Sequence, residues 1–279
     1  MSEPKSLEGR WAALKDRAIF RISGPDRVRF LNGQVTNDVS GPLDREAVAA
    51  CLCSIKGKVE ALVWISAAGD TLLLDGELGQ RDFLLARLER YLIADDCEIQ
   101  DETGNLLLIH HFTKCTDGVV SLRTRIPGRD LFVELRAEVP FEDDQEIKKE
   151  EFEELSLLAG IPGAGFEITG DEFPAELGLD LRAVNFHKGC YLGQEIISRI
   201  QSVGRVKRRL RIIKTEEPVL RGEEVENNLG ERGYVTRNSR LSGNFFSLSM
   251  GLFRLGDSLA GEPKYEPVLS RRTIGHNPL

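Results

Sequence analysis

The nine residues HKGCYLGQE, 187–195, gather a histidine, a lysine, a thiol, two glycines and an amide beside a carboxylate. Gly189 and Gly193 bracket Cys190 and let the backbone turn tightly or approach a ligand closely. A helix is expected to begin near Gln194. Its N-terminus and the neighbouring Lys188 ammonium both favour thiolate over thiol at Cys190. Cys190 is therefore the candidate reactive thiol, set against the plainer reading of a loop cysteine packed on a sheet. Gln194 and Glu195 fall in the first helical turn, where an acid suits the helix dipole without any ligand.

The surrounding chain is 279 residues long, which predicts two or three compact units. Hydrophobic residues make up 41% and charged residues 29%, the balance of a folded globular protein rather than a disordered one. No stretch resembles a signal-peptide core or a membrane span, so a cytoplasmic protein without a membrane partner is expected. Five cysteines, an odd number with no zinc-ligand spacing, predict free thiols in a reducing compartment and no metal site. The net charge of −8 argues against a surface that wraps nucleic acid. One basic strip stands out: Arg199, Arg205, Lys207, Arg208, Arg209, Arg211 and Lys214 occur with no acid between 196 and 215. It could bind a phosphate, a polyglutamate tail or RNA, or is a solvated strand face. No aromatic residues are interleaved there, which removes the stacking platforms of a single-strand nucleic-acid binder.

The pattern along the chain is α+β. A strand is expected at 18–22 and a helix at 27–33, followed by three strands between 47 and 76 whose turns lie at 56–58 and 68–70. A helix within 80–93 and strands at 97–101, 106–112, 119–124 and 131–135 come next, without regular βαβ alternation. An acidic helix over 144–159 stops at Gly160-Ile161-Pro162. A glycine-rich loop leads to the 187–195 motif, and a β-rich unit follows a boundary near 203–205.

Two carboxylates outside the motif could act on a ligand. Glu176, in the loop Pro174-Ala175-Glu176, could accept paired hydrogen bonds from a heterocycle edge such as that of a pterin or guanine. Asp38, after QVTN, could serve as a general base toward a substrate amine. Their plainer readings are a solvated loop glutamate and a turn aspartate.

The ordered set FLNGQVTNDV, IKGKVEALV, AGIPGAG, FPAELGLD, NFHKGCYLGQEIISRI and GRVKRRL resembles the YgfZ-type folate-binding proteins, relatives of the glycine-cleavage T-protein aminomethyltransferases. The likeness runs from about Ala18 to Leu210. It implies a three-domain ring of two α+β units and a C-terminal β-barrel-like unit around a central folate pocket. The expected division is 1–43 with 115–203, then 44–114, then 204–279. The ligand implied is tetrahydrofolate or a one-carbon derivative, and the role implied is help in iron–sulfur cluster assembly or repair for client enzymes, including tRNA-modifying ones. Carried over by motif, Cys190, Asp38 and Lys188 would be the chemical groups. Glu176, Gly189, Tyr191, Gly193, Gln194, Glu195 and Arg199 would bind the folate. Ser156 stands where relatives often carry an arginine. A folate-dependent aminomethyltransferase and a ligand-free interaction module are the competing functions.

Overall fold

The computed structural model describes residues 7–273 except 113–115, 125–127, 140, 205, 216–218, 228–229, 239–246 and 255–267. Its first elements are β1 (Trp11–Leu14), β2 (Arg17–Ser23), α1 (Arg27–Gln34), β3 (Val48–Cys53), β4 (Val59–Ala68), β5 (Thr71–Glu77), α2 (Arg81–Glu89) and β6 (Glu98–Asp101). Then come β7 (Leu106–His111), β8 (Val119–Ser121), β9 (Gly128–Glu134), α3 (Lys149–Leu158) and α4 (Gln194–Val203). The chain continues through β10 (Arg208–Thr215), β11 (Glu224–Asn227), β12 (Arg232–Asn238), β13 (Ser247–Arg254) and β14 (Val268–Thr273).

The antiparallel sheet β3-β4-β5-β2-β6 is buried on both faces, and side-chain parity decides which core each residue joins. From β3, Ala50 and Leu52 pack with Phe30 and Leu31 of α1 and Leu84 and Leu88 of α2. Cys51 and Cys53 point the other way, into a core built with Leu177, Leu179, Tyr191 and Ile197. Strand β4 divides likewise, Val63 and Ile65 on the helix side and Leu62 and Trp64 on the other. Each large aliphatic side chain fully buried here contributes ~1.5–3 kcal/mol. The loops leading to 187–195 therefore close one face of this sheet, and that closure fixes the motif in space.

A second antiparallel sheet, β1-β7-β9-β8, carries α3 through Ala12, Phe112 and Ile147, with Phe152 and Leu155 against them. Arg10 grips Glu151 of α3 through two bonds of 2.6 and 3.0 Å. A buried ion network ties this sheet to the first. Arg123 donates to both oxygens of Asp75 at 2.9 and 2.5 Å and to Asp130 at 2.6 Å. Asp130 also meets His110 Nδ1 at 2.6 Å, and Arg17 donates to Asp75 at 2.7 Å. The C-terminal strands pair in the closed order β10-β13-β12-β11-β14.

Antiparallel sheets mixed with helices make the chain α+β, as expected. Two elements differ from the sequence reading. Strand β1 has no sequence signal of its own and forms by pairing with β7. The acidic helix starts at Lys149 rather than near 144. The preceding residues instead serve the edge of β1, where Glu146 bridges Trp11 and the Ile147 N–H donates to the Trp11 carbonyl at 2.6 Å. Strand β2, within the expected 1–43 segment, pairs with β5 and β6, both inside 44–114.

Candidate functional site

The motif loop is held at both ends by backbone groups far away in sequence. Lys188 Nζ donates to the carbonyls of Asn32, Val35 and Asn37 at 2.7, 2.8 and 2.7 Å. An ammonium has three donors, and this cage at the C-terminal end of α1 uses all of them, on the end of a helix that favours a cation. The ammonium expected to act on Cys190 is thus committed elsewhere. Burial pulls the Lys188 pKa down to about 8, and Asp38 pushes it back up.

At the other end, Gly193 adopts φ +84° and begins α4. A Cβ at this position would lie 2.5 Å from the Ser54 carbonyl oxygen and 3.0 Å from the Gly57 Cα. Gly57, at φ +71°, sits in the β3–β4 turn. The motifs IKGKVEALV and KGCYLGQE therefore meet backbone to backbone, a contact only glycine allows.

Between these anchors Gly189 and Cys190 are exposed, and His187 is exposed with its N–H on Asn185 Oδ1. Tyr191 turns inward, 7% exposed, onto the core face with Cys51 and Cys53. Its hydroxyl has no hydrogen-bond partner among the described residues. Burial, then the Cys53 and Cys51 thiols, push that phenol up. Its hydrogen bond with Cys51 and then burial raise the Cys53 thiol well above its ordinary value. Gln194 is half-buried in the first turn of α4, while Glu195 and Arg199 are exposed. Cys115 lies outside the described residues.

Asp38 is half-buried. Its Oδ1 accepts from the Ser40 N–H at 2.9 Å and the Ser40 hydroxyl at 2.6 Å. The Ser40 hydroxyl, its N–H and then Lys188 hold the carboxyl below the ordinary carboxylate value. Such a group is an acceptor at neutral pH and a weak base. Oδ2 takes no hydrogen bond among the described residues and can receive an N–H from a ligand.

Glu176 is 6% exposed, with both oxygens engaged. Oε2 accepts from the Phe173 N–H at 2.9 Å and Oε1 from Arg208 Nε at 2.9 Å. A ligand could reach only the remaining lone pair on each oxygen. The partner Arg208 belongs to the basic strip, and three arginines of that strip face acids of the same chain. Arg211 holds Glu231 through two bonds of 3.0 and 2.8 Å, and Arg209 approaches Asp180 at 3.8 Å. The acids that balance these arginines, Glu172, Asp180 and Glu231, were not linked to them by sequence spacing. Ser156, where an arginine was expected, donates to the Phe152 carbonyl one turn back on α3 at 3.0 Å.

Known proteins place this arrangement. No protein-family model matches the chain. The tRNA-modifying protein YgfZ of Escherichia coli O157:H7 is 25% identical over 261 residues, covering 78% of this chain and 76% of its own. YgfZ of Pectobacterium atrosepticum is 24% identical over 254 residues, covering 78% and 75%. The crystal structure of glycine cleavage system aminomethyltransferase T from Bartonella henselae superposes with a TM-score of 0.74 at 16% identity, covering 89% of this chain and 79% of that one. No helix among the described residues is long and apolar enough to cross a membrane. With the KGCYLGQE loop anchored between α1 and the β3–β4 turn, the chain is similar in sequence to the YgfZ tRNA-modifying proteins and has the fold of the glycine-cleavage aminomethyltransferase.

Proposed function

We propose that the chain binds tetrahydrofolate or a one-carbon derivative and assists iron–sulfur cluster assembly or repair in client enzymes, tRNA-modifying ones among them. In this reading three units surround a common folate pocket, and iron–sulfur client or assembly proteins are the partners. The observation that carries it is an exposed Cys190 on a loop locked at Lys188 and Gly193, which presents one thiol to a partner while keeping the loop rigid. Asp38 fits an N–H donor of a folate better than Glu176, because Asp38 keeps an oxygen free while Arg208 and Phe173 occupy Glu176. A weak base at Asp38 and a caged Lys188 favour binding over proton-transfer chemistry.

The test is anaerobic calorimetric titration with tetrahydrofolate of the wild type, Asp38→Asn and Cys190→Ala. Expected are binding by the wild type, weaker binding by Asp38→Asn, and unchanged binding by Cys190→Ala. Absence of both heat and thermal stabilisation in the wild type would overturn the folate reading and leave an interaction module, since a ligand of the native state must stabilise it by mass action. The aminomethyltransferase fold favours a second reading, folate-dependent aminomethyl transfer from a lipoyl carrier. Turnover with such a carrier would establish it.

A further inference from the structure

The main chain around Asp38 is pinned from three directions. The Asp38 N–H donates to Asn37 Oδ1 at 2.9 Å, and Asn37 Nδ2 donates in turn to the Ala49 carbonyl of β3 at 2.8 Å. Lys188 holds the Asn37 carbonyl at 2.7 Å, and the Val39 N–H reaches Asn32 Oδ1 of α1 at 3.2 Å. These bonds fix the backbone at 37–39 against α1, β3 and the motif loop. They do not fix the carboxylate, whose last torsion is broad and roughly two-fold and can exchange its two oxygens.

Ser40 removes that freedom. Its hydroxyl at 2.6 Å and its N–H at 2.9 Å both donate to the same oxygen, Oδ1. Two donors on one oxygen use its two lone pairs and leave Oδ2 as the acceptor still open to a ligand. A carboxylate held in this way offers one atom in one direction, which suits a single N–H and not the paired donors of a fork-shaped group. The Ser40 hydroxyl and then its N–H hold the carboxyl below the ordinary value against burial, and Lys188 is the charged group that adds to them. The acceptor therefore stays anionic at neutral pH.

We infer that Ser40 is a positioning residue of the ligand site, turning Asp38 so that Oδ2 alone receives one N–H of the bound folate. This rests on the folate reading above and names the residue that gives its acceptor a direction. Ser40 itself is exposed, so removing its hydroxyl opens no cavity, and a variant reports on Asp38 and not on folding.

The test pairs two measurements on the full chain as wild type, Ser40→Ala, Ser40→Thr, Asp38→Asn and the Ser40→Ala, Asp38→Asn double variant. One is anaerobic calorimetry with tetrahydrofolate. The other is NMR of the aspartate carboxyl carbons in the ligand-free protein as pH falls, with the Asp38 signal identified by its loss in Asp38→Asn. Ser40→Ala is expected to weaken tetrahydrofolate binding ~3–10-fold and to move the Asp38 titration to higher pH. Ser40→Thr keeps the hydroxyl and is expected to restore both. In the Asp38→Asn background Ser40→Ala should cost nothing further, because it acts through the carboxylate. An unmoved titration, unchanged affinity in Ser40→Ala, no rescue by threonine, or the same loss in both backgrounds would overturn the inference. Tetrahydrofolate binding that Asp38→Asn weakens and Ser40→Ala leaves alone removes the role of Ser40 only, whereas absence of binding by the wild type removes the folate reading and this role together.

Discussion

Replacing Lys188 by Met keeps the aliphatic stem and removes the three donors that hold the motif loop to α1. Hydrogen bonds from a charged group are each worth ~1.5–3 kcal/mol. The three bonds, at 2.7, 2.8 and 2.7 Å, are all short. Against them stands the desolvation that draws the lysine pKa down to about 8, which the methionine escapes. Water can also reach the half-buried Asn32 and Asn37, whereas Val35 is fully buried. The net loss works out at ~2–3 kcal/mol. With a urea slope of ~3 kcal/mol/M for a chain of this size, the midpoint falls by ~0.7–1 M. Fluorescence of Trp64, on the core face shared with Tyr191, follows the transition. Hydrogen exchange at the C-terminal turn of α1 should accelerate in parallel. A loss below ~0.5 kcal/mol, the range of an ordinary surface substitution, would refute the cage and return Lys188 to the role of a free reactive amine.

Gly193→Ala is expected to cost ~2 kcal/mol or more from positive φ and the clash with Ser54, while Gly189→Ala, with open space around its Cβ, stays within ~0.5 kcal/mol; paired urea melts decide it. The Asp130 carboxyl titrates at about 2 in the folded protein, against an ordinary 3.8, with Arg123 and His110 overcoming the cost of burial. The unfolded chain therefore takes up this proton first as pH falls. A contribution of about 2 kcal/mol, present above pH 3.8, is lost as pH falls toward 2, and the slope of stability across that window should be shallower in Asp130→Asn. In a background lacking Cys97 and Cys115, iodoacetamide should label Cys190 rapidly in the native state and reach Cys51 and Cys53 only after unfolding, which mass spectrometry would read.

Helices and hairpins were readable wherever a local signal determined them. The turns at Lys56-Gly57-Lys58 and Ala68-Gly69-Asp70, the 81–89 helix and the start of α4 at Gln194 all lie where periodicity and glycine placed them. What sequence could not supply was pairing at a distance. Strand β1 exists because β7 offers it an edge, and α3 is shortened because Glu146 and Ile147 serve Trp11. The candidate site follows the same division. That the residues of 187–195 form one loop was legible. That Lys188 spends its charge on Asn32, Val35 and Asn37, that Glu176 is taken by Arg208, and that Tyr191 turns inward beside Cys51 and Cys53 depends on contacts across roughly 30 to 160 positions, for which no short-range pattern exists.

The backbone contact between Gly193 and the Ser54–Gly57 turn also governs how this protein can change over generations. Most tight contacts can be rescued by a second substitution, since a smaller neighbour makes room for a larger one. Here the obstacle at 2.5 Å is a main-chain carbonyl, which every amino acid at position 54 carries alike. No mutation at position 54 can open that space, so position 193 admits a single residue for as long as the turn and the loop keep their places. Drift around the exposed thiol is confined to neighbours such as His187 and Glu195, while the anchor beneath it stays fixed.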